Sequence, residues 1–396
     1  MKRLSQFASA MFFALLLPAA AVGGTMAFPA LICLFALVAF RPSLLRQAIE
    51  NRPLAIALLL TFTAWAALSC VWSSFADHRQ ALKLILLVPL GLLFAGAASR
   101  TEDGRRITFW ASVVGFWLLT AALAVEAIWQ LPINRYFQPH TALGELGRNT
   151  SRAGTYLMAI SWAVAGGLVA SGWRFRWLAA VAVFAASTAL TVPFDQQSDQ
   201  VAAAFGIVAF FMALALPRLT PILISFGLTA WLLVAPFATP ILLANQHMVD
   251  ALPLSWAARV GIWRYVCARI VEQPWIGHGI DASRAVTDRI QVRELNIRAV
   301  PLHPHSASLQ IWFETGAVGA VLAAATLVAG GVALSRLFAN NRPAAAAACA
   351  TLASLGLVAN VSFGIWQEWW EATMFIAAAL IAAIGTRQSS SSASTG

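Results

Sequence analysis

Two kinds of side chain in this 396-residue sequence have types and spacing suited to group transfer: a His-Pro-His step at 303–305, and a set of arginines without lysines among them. In the stretch Pro301-Leu-His-Pro-His-Ser-Ala-Ser-Leu-Gln-Ile-Trp-Phe-Glu-Thr-Gly316-Ala-Val-Gly319, Pro304 suits a first helical turn. That predicts His305 at a helix N-terminus, among unpaired N–H groups and at the positive end of the dipole. Such a setting favours neutral imidazole and attracts anions, and a neutral histidine beside a bound phosphate can act as a general base. The plainer alternative is an interfacial histidine bonded to a headgroup or a loop carbonyl. His303 competes for the role of base, and His278, which follows the helix-breaking Pro274, reads as structural.

The arginines fall in two segments: Arg135, Arg148 and Arg152, then Arg259, Arg264, Arg269, Arg284, Arg289, Arg293 and Arg298. Guanidinium's flat fork of donors grips phosphate and pyrophosphate oxygens in a way that an ammonium does not. A phosphate-bearing substrate is the reading this suggests. A solvated basic face, or pairing with headgroups and with Asp281, Asp288 and Glu294, is the competing account for Arg135, Arg284, Arg289, Arg293 and Arg298. Asp195, Asp199 and Glu314 are too dispersed for a metal-ligand set, so arginines would have to supply the countercharge and no metal or other cofactor is expected.

The elements that must position these groups are membrane helices. Hydrophobic residues make up 60% of the chain and charged ones 11%, with a mean hydropathy of +0.75, which excludes an ordinary water-soluble domain. The expected fold is an all-α polytopic membrane protein of about twelve spans, at 7–22, 24–40, 54–72, 81–98, 107–130, 152–171, 177–192, 199–216, 220–239, 306–334, 343–362 and 368–385. Residues 1–239 would hold nine spans, 240–305 a long, partly helical outer loop, 306–385 three spans, and 386–396 a flexible cytoplasmic tail. Helical spacing is expected over 256–272 and 281–297 in the loop, and a continuous helix would place His305, Leu309, Trp312 and Gly316 on one face. Gly316 and Gly319 would let another helix come close. With the N-terminus inside, every cytoplasmic connection carries arginine, Arg41, Arg46, Arg52, Arg100, Arg174, Arg218, Arg336 and Arg387 among them, as the positive-inside rule asks. The two arginine-rich segments then face outward. Cys33, Cys70, Cys267 and Cys349 lack paired or metal-binding spacing and read as packing residues.

The stretch His305-Ser306, nine residues, Gly316, two residues, Gly319 resembles the signature of the O-antigen ligase family. Arg259-Val-Gly-Ile-Trp263 through Pro274-Trp-Ile-Gly277-His-Gly279 resembles that family's second hallmark, and Asn149-Thr-Ser-Arg152-Ala-Gly its middle-helix segment. Together they cover about residues 148–320. The resemblance implies a metal-independent, inverting GT-C-like glycosyltransferase of the bacterial inner membrane, working at the periplasmic face. It would move a glycan from undecaprenyl pyrophosphate to a sugar hydroxyl of lipid A–core, with no nucleic acid as partner. His305 would take the acceptor proton, Arg152 and Arg259 would hold the pyrophosphate with Arg264 as helper, and Arg148, Arg284 and His303 are secondary candidates. Where many members carry Ser–Arg, this chain has Asp195-Gln-Gln-Ser198-Asp199-Gln200, so a third family arginine is replaced by acid and amide. A polymerase of the same superfamily shares this chemistry and differs in acceptor. An organic-anion transporter is the third reading, for which no internal repeat is found.

Overall fold

The computed structural model describes residues 2–42 and 53–385; Arg46, Arg52, Arg387 and the 386–396 tail lie outside the described residues. Among the described residues, ten helices are long and apolar enough to cross a membrane, from Arg3–Val22 to Glu368–Gly385. The other two expected spans form shorter helices, Phe28–Ala39 of 12 residues and Arg176–Ala189 of 14. At 1.5 Å per residue they reach only about 18 and 21 Å, less than a hydrocarbon core of about 30 Å. The expected dozen is therefore ten full-length helices and two short ones. Pro29 fixes the first turn of the Phe28–Ala39 helix, and positive-φ residues at Gly24 and Thr25 hold back its start.

The helix Leu143–Ala170 forms the centre of the bundle, with 94% of its apolar window buried against 28% for Thr220–Leu242 and Ala307–Leu337. Lipid tails are as apolar as leucine, so helices in a bilayer associate through close packing of small residues. Gly166 supplies such an approach: a Cβ there would meet the Ala347 methyl at 2.8 Å and the Pro343 carbonyl at 2.9 Å. Ala344 to Ala348 of the facing Arg342–Val361 helix are all buried. The central helix begins at Leu143, nine residues before the expected position, so Arg148 and Arg152 both stand on it and, four residues apart, share a face. The four cysteines are free, Cys267 and Cys349 buried and Cys33 and Cys70 half-buried, as packing residues should be.

The connection between Leu242 and Ala307 carries a short helix Gln246–Ala251 and a longer one, Leu254–Ile270. The second helix expected over 281–297 does not form; one helical turn, Ala282–Ala285, is followed by an antiparallel hairpin, Arg289–Val292 with Leu295–Arg298. Ile290 and Val292 alternate with polar residues and press on Gly261 of the loop helix, a period-two pattern that fits a strand. Arg293 makes the tight turn with φ of 52°. The helix Ala307–Leu337 is not continuous either, because Gly316 takes φ 65° and ψ −167° and bends it.

Candidate active site

The bend at Gly316 frees backbone groups that the 274–279 stretch satisfies. The carbonyls of Phe313 and Glu314 accept the N–H groups of His278 and Gly279, each at 2.8 Å; the N–H groups of Ala317 and Val318 donate to Pro274 and Trp275 at 2.8 and 3.2 Å. Irregular backbone within a membrane span is tolerated only where it is buried in protein like this. A Cβ on Gly316 would lie 2.3 Å from the Trp275 carbonyl oxygen, so the close partner expected there is this loop segment and not a helix. Gly319 does face a helix, with Trp65 of Pro53–Leu68 3.4 Å from its built Cβ. Glu314, wholly buried beside the bend, accepts from Asp281 N–H at 2.9 Å, Trp366 Nε1 at 2.6 Å and Ser283 Oγ at 2.5 Å, and so clasps the loop to the helix. His278 donates Nε2–H to the Arg269 carbonyl at 3.0 Å, a structural role.

His305 stands just outside the helix, one residue before its N-cap, although the sequence places Pro304 in the first turn and His305 at the N-terminus. Ser306 is the N-cap, its hydroxyl accepting Leu309 N–H at 3.4 Å, and Pro304, also outside, accepts the Trp263 indole N–H at 2.9 Å. His305 therefore shares no helical face with Leu309, Trp312 and Gly316. Its backbone is left-handed, with φ of 58°, a conformation that costs a non-glycine residue energy and persists only when neighbours enforce it. Nδ1 of His305 lies 2.5 Å from the Ser362 carbonyl oxygen. A carbonyl can only accept, so Nδ1 carries the proton and, in the neutral ring, Nε2 keeps its lone pair. Burial, followed by the nearby charge of Arg259, pushes the His305 pKa down, while the bond to Ser362 opposes them. The resulting group is a neutral imidazole with a fixed tautomer, the form a general base needs.

The arginines divide into engaged and unengaged. Arg264 donates to Gln246 Oε1 at 2.8 Å and to the Leu243 carbonyl, tying the loop helix to the end of Thr220–Leu242. Arg293 holds the Asp250 carbonyl at 2.7 Å, Arg298 the Val286 carbonyl at 3.0 Å, and Arg289 the Asn296 side chain at 3.1 Å. Arg284 pairs with Asp281 at 3.1 Å. Arg259 has, among the described residues, no ion pair or hydrogen bond: its guanidinium rests 4.9 Å from the Trp256 ring centre, and burial lowers its pKa. Arg152 bonds Asn149 Oδ1 at 3.2 Å and lies 5.7 Å from the Trp369 ring centre, again with no carboxylate partner among the described residues. Arg148 is exposed one turn away on the same helix.

A chain of contacts links these groups. From Arg152 it passes through Trp369, Phe363 and Ser362 to His305, whose electrostatic neighbour is Arg259. Arg259 leads back through Trp256, whose indole donates to Gln197 Oε1 at 3.0 Å, and Gln196, which donates to the Ser151 carbonyl at 2.6 Å. Asp199, where a family arginine was missing, accepts from Thr155 at 2.6 Å and Gln196 at 2.8 Å, fastening its helix to the Arg152 helix. Among the described residues no three His, Cys, Asp or Glu groups converge to hold a metal ion. The 362–369 segment escaped sequence reasoning because its contribution is a backbone carbonyl and packed aromatic rings.

An apolar cavity of about 460 Å³ opens two residues beyond His305. Its lining starts at Ala307, Ser308 and Asn360 and continues along Leu232, Ile311 and Leu355 to Leu334 and Phe338 at the other end of the bundle. From 308 to 334 the helix rises up to about 39 Å, a full membrane thickness.

These features define a multi-pass membrane protein in which His305, Arg259 and Arg152 are candidate site residues at one end of the bundle. A family model described as O-antigen ligase matches residues 159–324, which include Arg259 and His305 and stop short of Arg152. A Rickettsia conorii protein is 26% identical over 330 residues, covering 80% of this chain and 76% of its own. A Rickettsia typhi protein is 25% identical over 333 residues, 81% and 78%, and a Rickettsia felis protein 25% identical over 345 residues, 83% and 81%. All three carry the name "Putative polysaccharide ligase". The resemblance to the O-antigen ligase family read from the motifs is borne out, and the chain is similar to membrane enzymes of the ligase and polymerase type.

Proposed function

We propose that the protein is an O-antigen ligase: it transfers a polysaccharide from undecaprenyl pyrophosphate to a sugar hydroxyl of lipid A–core, at the periplasmic face of the inner membrane. The observation that carries this reading is His305, held with a free Nε2 lone pair beside the unpaired guanidinium of Arg259. His305 Nε2 takes the proton of the acceptor hydroxyl as its oxygen bonds the anomeric carbon from the face opposite the pyrophosphate. The anomeric C–O bond breaks, both its electrons leave with undecaprenyl pyrophosphate, and the configuration inverts. Arg259 and Arg152 neutralise the charge that develops on the leaving group, with Arg148 adding field at the rim. The apolar cavity beside Ser308 supports a donor whose leaving group carries a hydrocarbon tail.

The same chemistry serves a polymerase that joins repeat units on the lipid carrier. Deleting the gene separates the two: loss of a ligase leaves bare lipid A–core while long polymer accumulates on undecaprenyl pyrophosphate, and loss of a polymerase leaves core capped by single units. An unchanged lipopolysaccharide profile and unchanged lipid-linked intermediates would overturn both.

A further inference from the structure

His303 is more than a neighbour of His305. The two rings stand 4.3 Å apart, centre to centre, and the backbone N–H of His305 donates to Nδ1 of His303 at 3.2 Å. A nitrogen that accepts cannot carry the proton, so neutral His303 is protonated on Nε2, the tautomer opposite to that of His305. His303 is 8% exposed, and its ring packs on Gly364, where a Cβ would come within 2.8 Å of Cγ. Burial comes first among the influences that keep it uncharged, followed by His305, Arg284 and Arg259.

We infer that His303 is a positioning residue, whose Nδ1 holds the backbone N–H of His305 in the left-handed conformation and thereby aims the His305 imidazole at the reacting hydroxyl. Two bonds then fix His305 at both ends: Ser362 grips the ring and His303 grips the main chain. Removing the second leaves a strained backbone free to relax, and small misplacements of a reacting group cost about 100-fold in rate. His303 Nε2–H has no hydrogen-bond partner among the described residues and remains available to an oxygen of the substrate.

The inference rests on His305 being the base, and the test keeps the two apart. In purified protein, His303→Asn presents an amide oxygen where Nδ1 stood, whereas His303→Phe fills the space without an acceptor. The expected result is a fall in kcat of about 100-fold for His303→Phe with KM little moved, and recovery to within about tenfold of the parent for His303→Asn. Nitrogen NMR of histidine-labelled parent protein should show the His303 signal, identified by its loss in His303→Asn, with an unprotonated Nδ1 and a protonated Nε2. A fully active His303→Phe, an Asn variant as impaired as the Phe variant, or a His303 ring protonated on Nδ1 would each overturn the positioning role. A fully active His305→Ala would instead overturn the base assignment.

Discussion

The Ser362 carbonyl oxygen lies 2.5 Å from His305 Nδ1, joining residues 57 positions apart in sequence. The bond sets which ring nitrogen is basic, and burial together with Arg259 keeps that nitrogen unprotonated. Because the His305 pKa is depressed, His305 acting as the proposed base would be neutral at neutral pH, and activity should fall only as pH drops through a midpoint below the ordinary imidazole range. The pH dependence of kcat in purified enzyme checks this, and a midpoint above that range would contradict it. His305→Ala should lose transfer by at least about 100-fold while its membrane level stays near that of the parent.

Arg259→Lys should lower kcat by roughly 100-fold or more although the charge is kept, because the ammonium has no fork for two phosphate oxygens. Transfer assays on the purified variant decide it. Near-parental rates would reduce Arg259 to bulk electrostatics.

Gly316→Ala should destabilise the protein by on the order of 1–3 kcal/mol through backbone strain, with contact against the Trp275 carbonyl added to it. The readout is thermal unfolding in detergent. An unchanged transition would mean that the bend tolerates a side chain.

Under the proposed mechanism, in which guanidinium groups meet the charge of the leaving group, chelator should leave the transfer rate of purified enzyme unchanged. Strong inhibition reversed by an added divalent cation would remove arginine from that role.

Sequence periodicity revealed the membrane helices because long apolar runs have one main solution in a bilayer. It misplaced local features wherever tertiary contacts override the pattern. Ala142 starts the central helix early, without a side-chain cap to advertise the start. Ile290 and Val292, and Leu295 and Ile297 on the paired strand, carry a period-two signal that helical spacing obscured. His305 was legible by type and by its distance from Gly316, but its left-handed backbone depends on His303 and Ser362, which no spacing rule reveals. By residue type alone Arg264 and Arg259 look alike; the structure ties Arg264 to the Leu243 carbonyl and Gln246 and leaves Arg259 stacked on Trp256.

The four backbone hydrogen bonds between 274–279 and the bent helix make these stretches a single tongue-and-groove joint, although about forty residues separate them in the chain. Neither half offers its partner a substitute, because the match is made by main chain at Gly277 and Gly316 with no room for a Cβ. A chimera that swaps one half for the corresponding piece of a distant relative should misassemble, and one that swaps both together should fold.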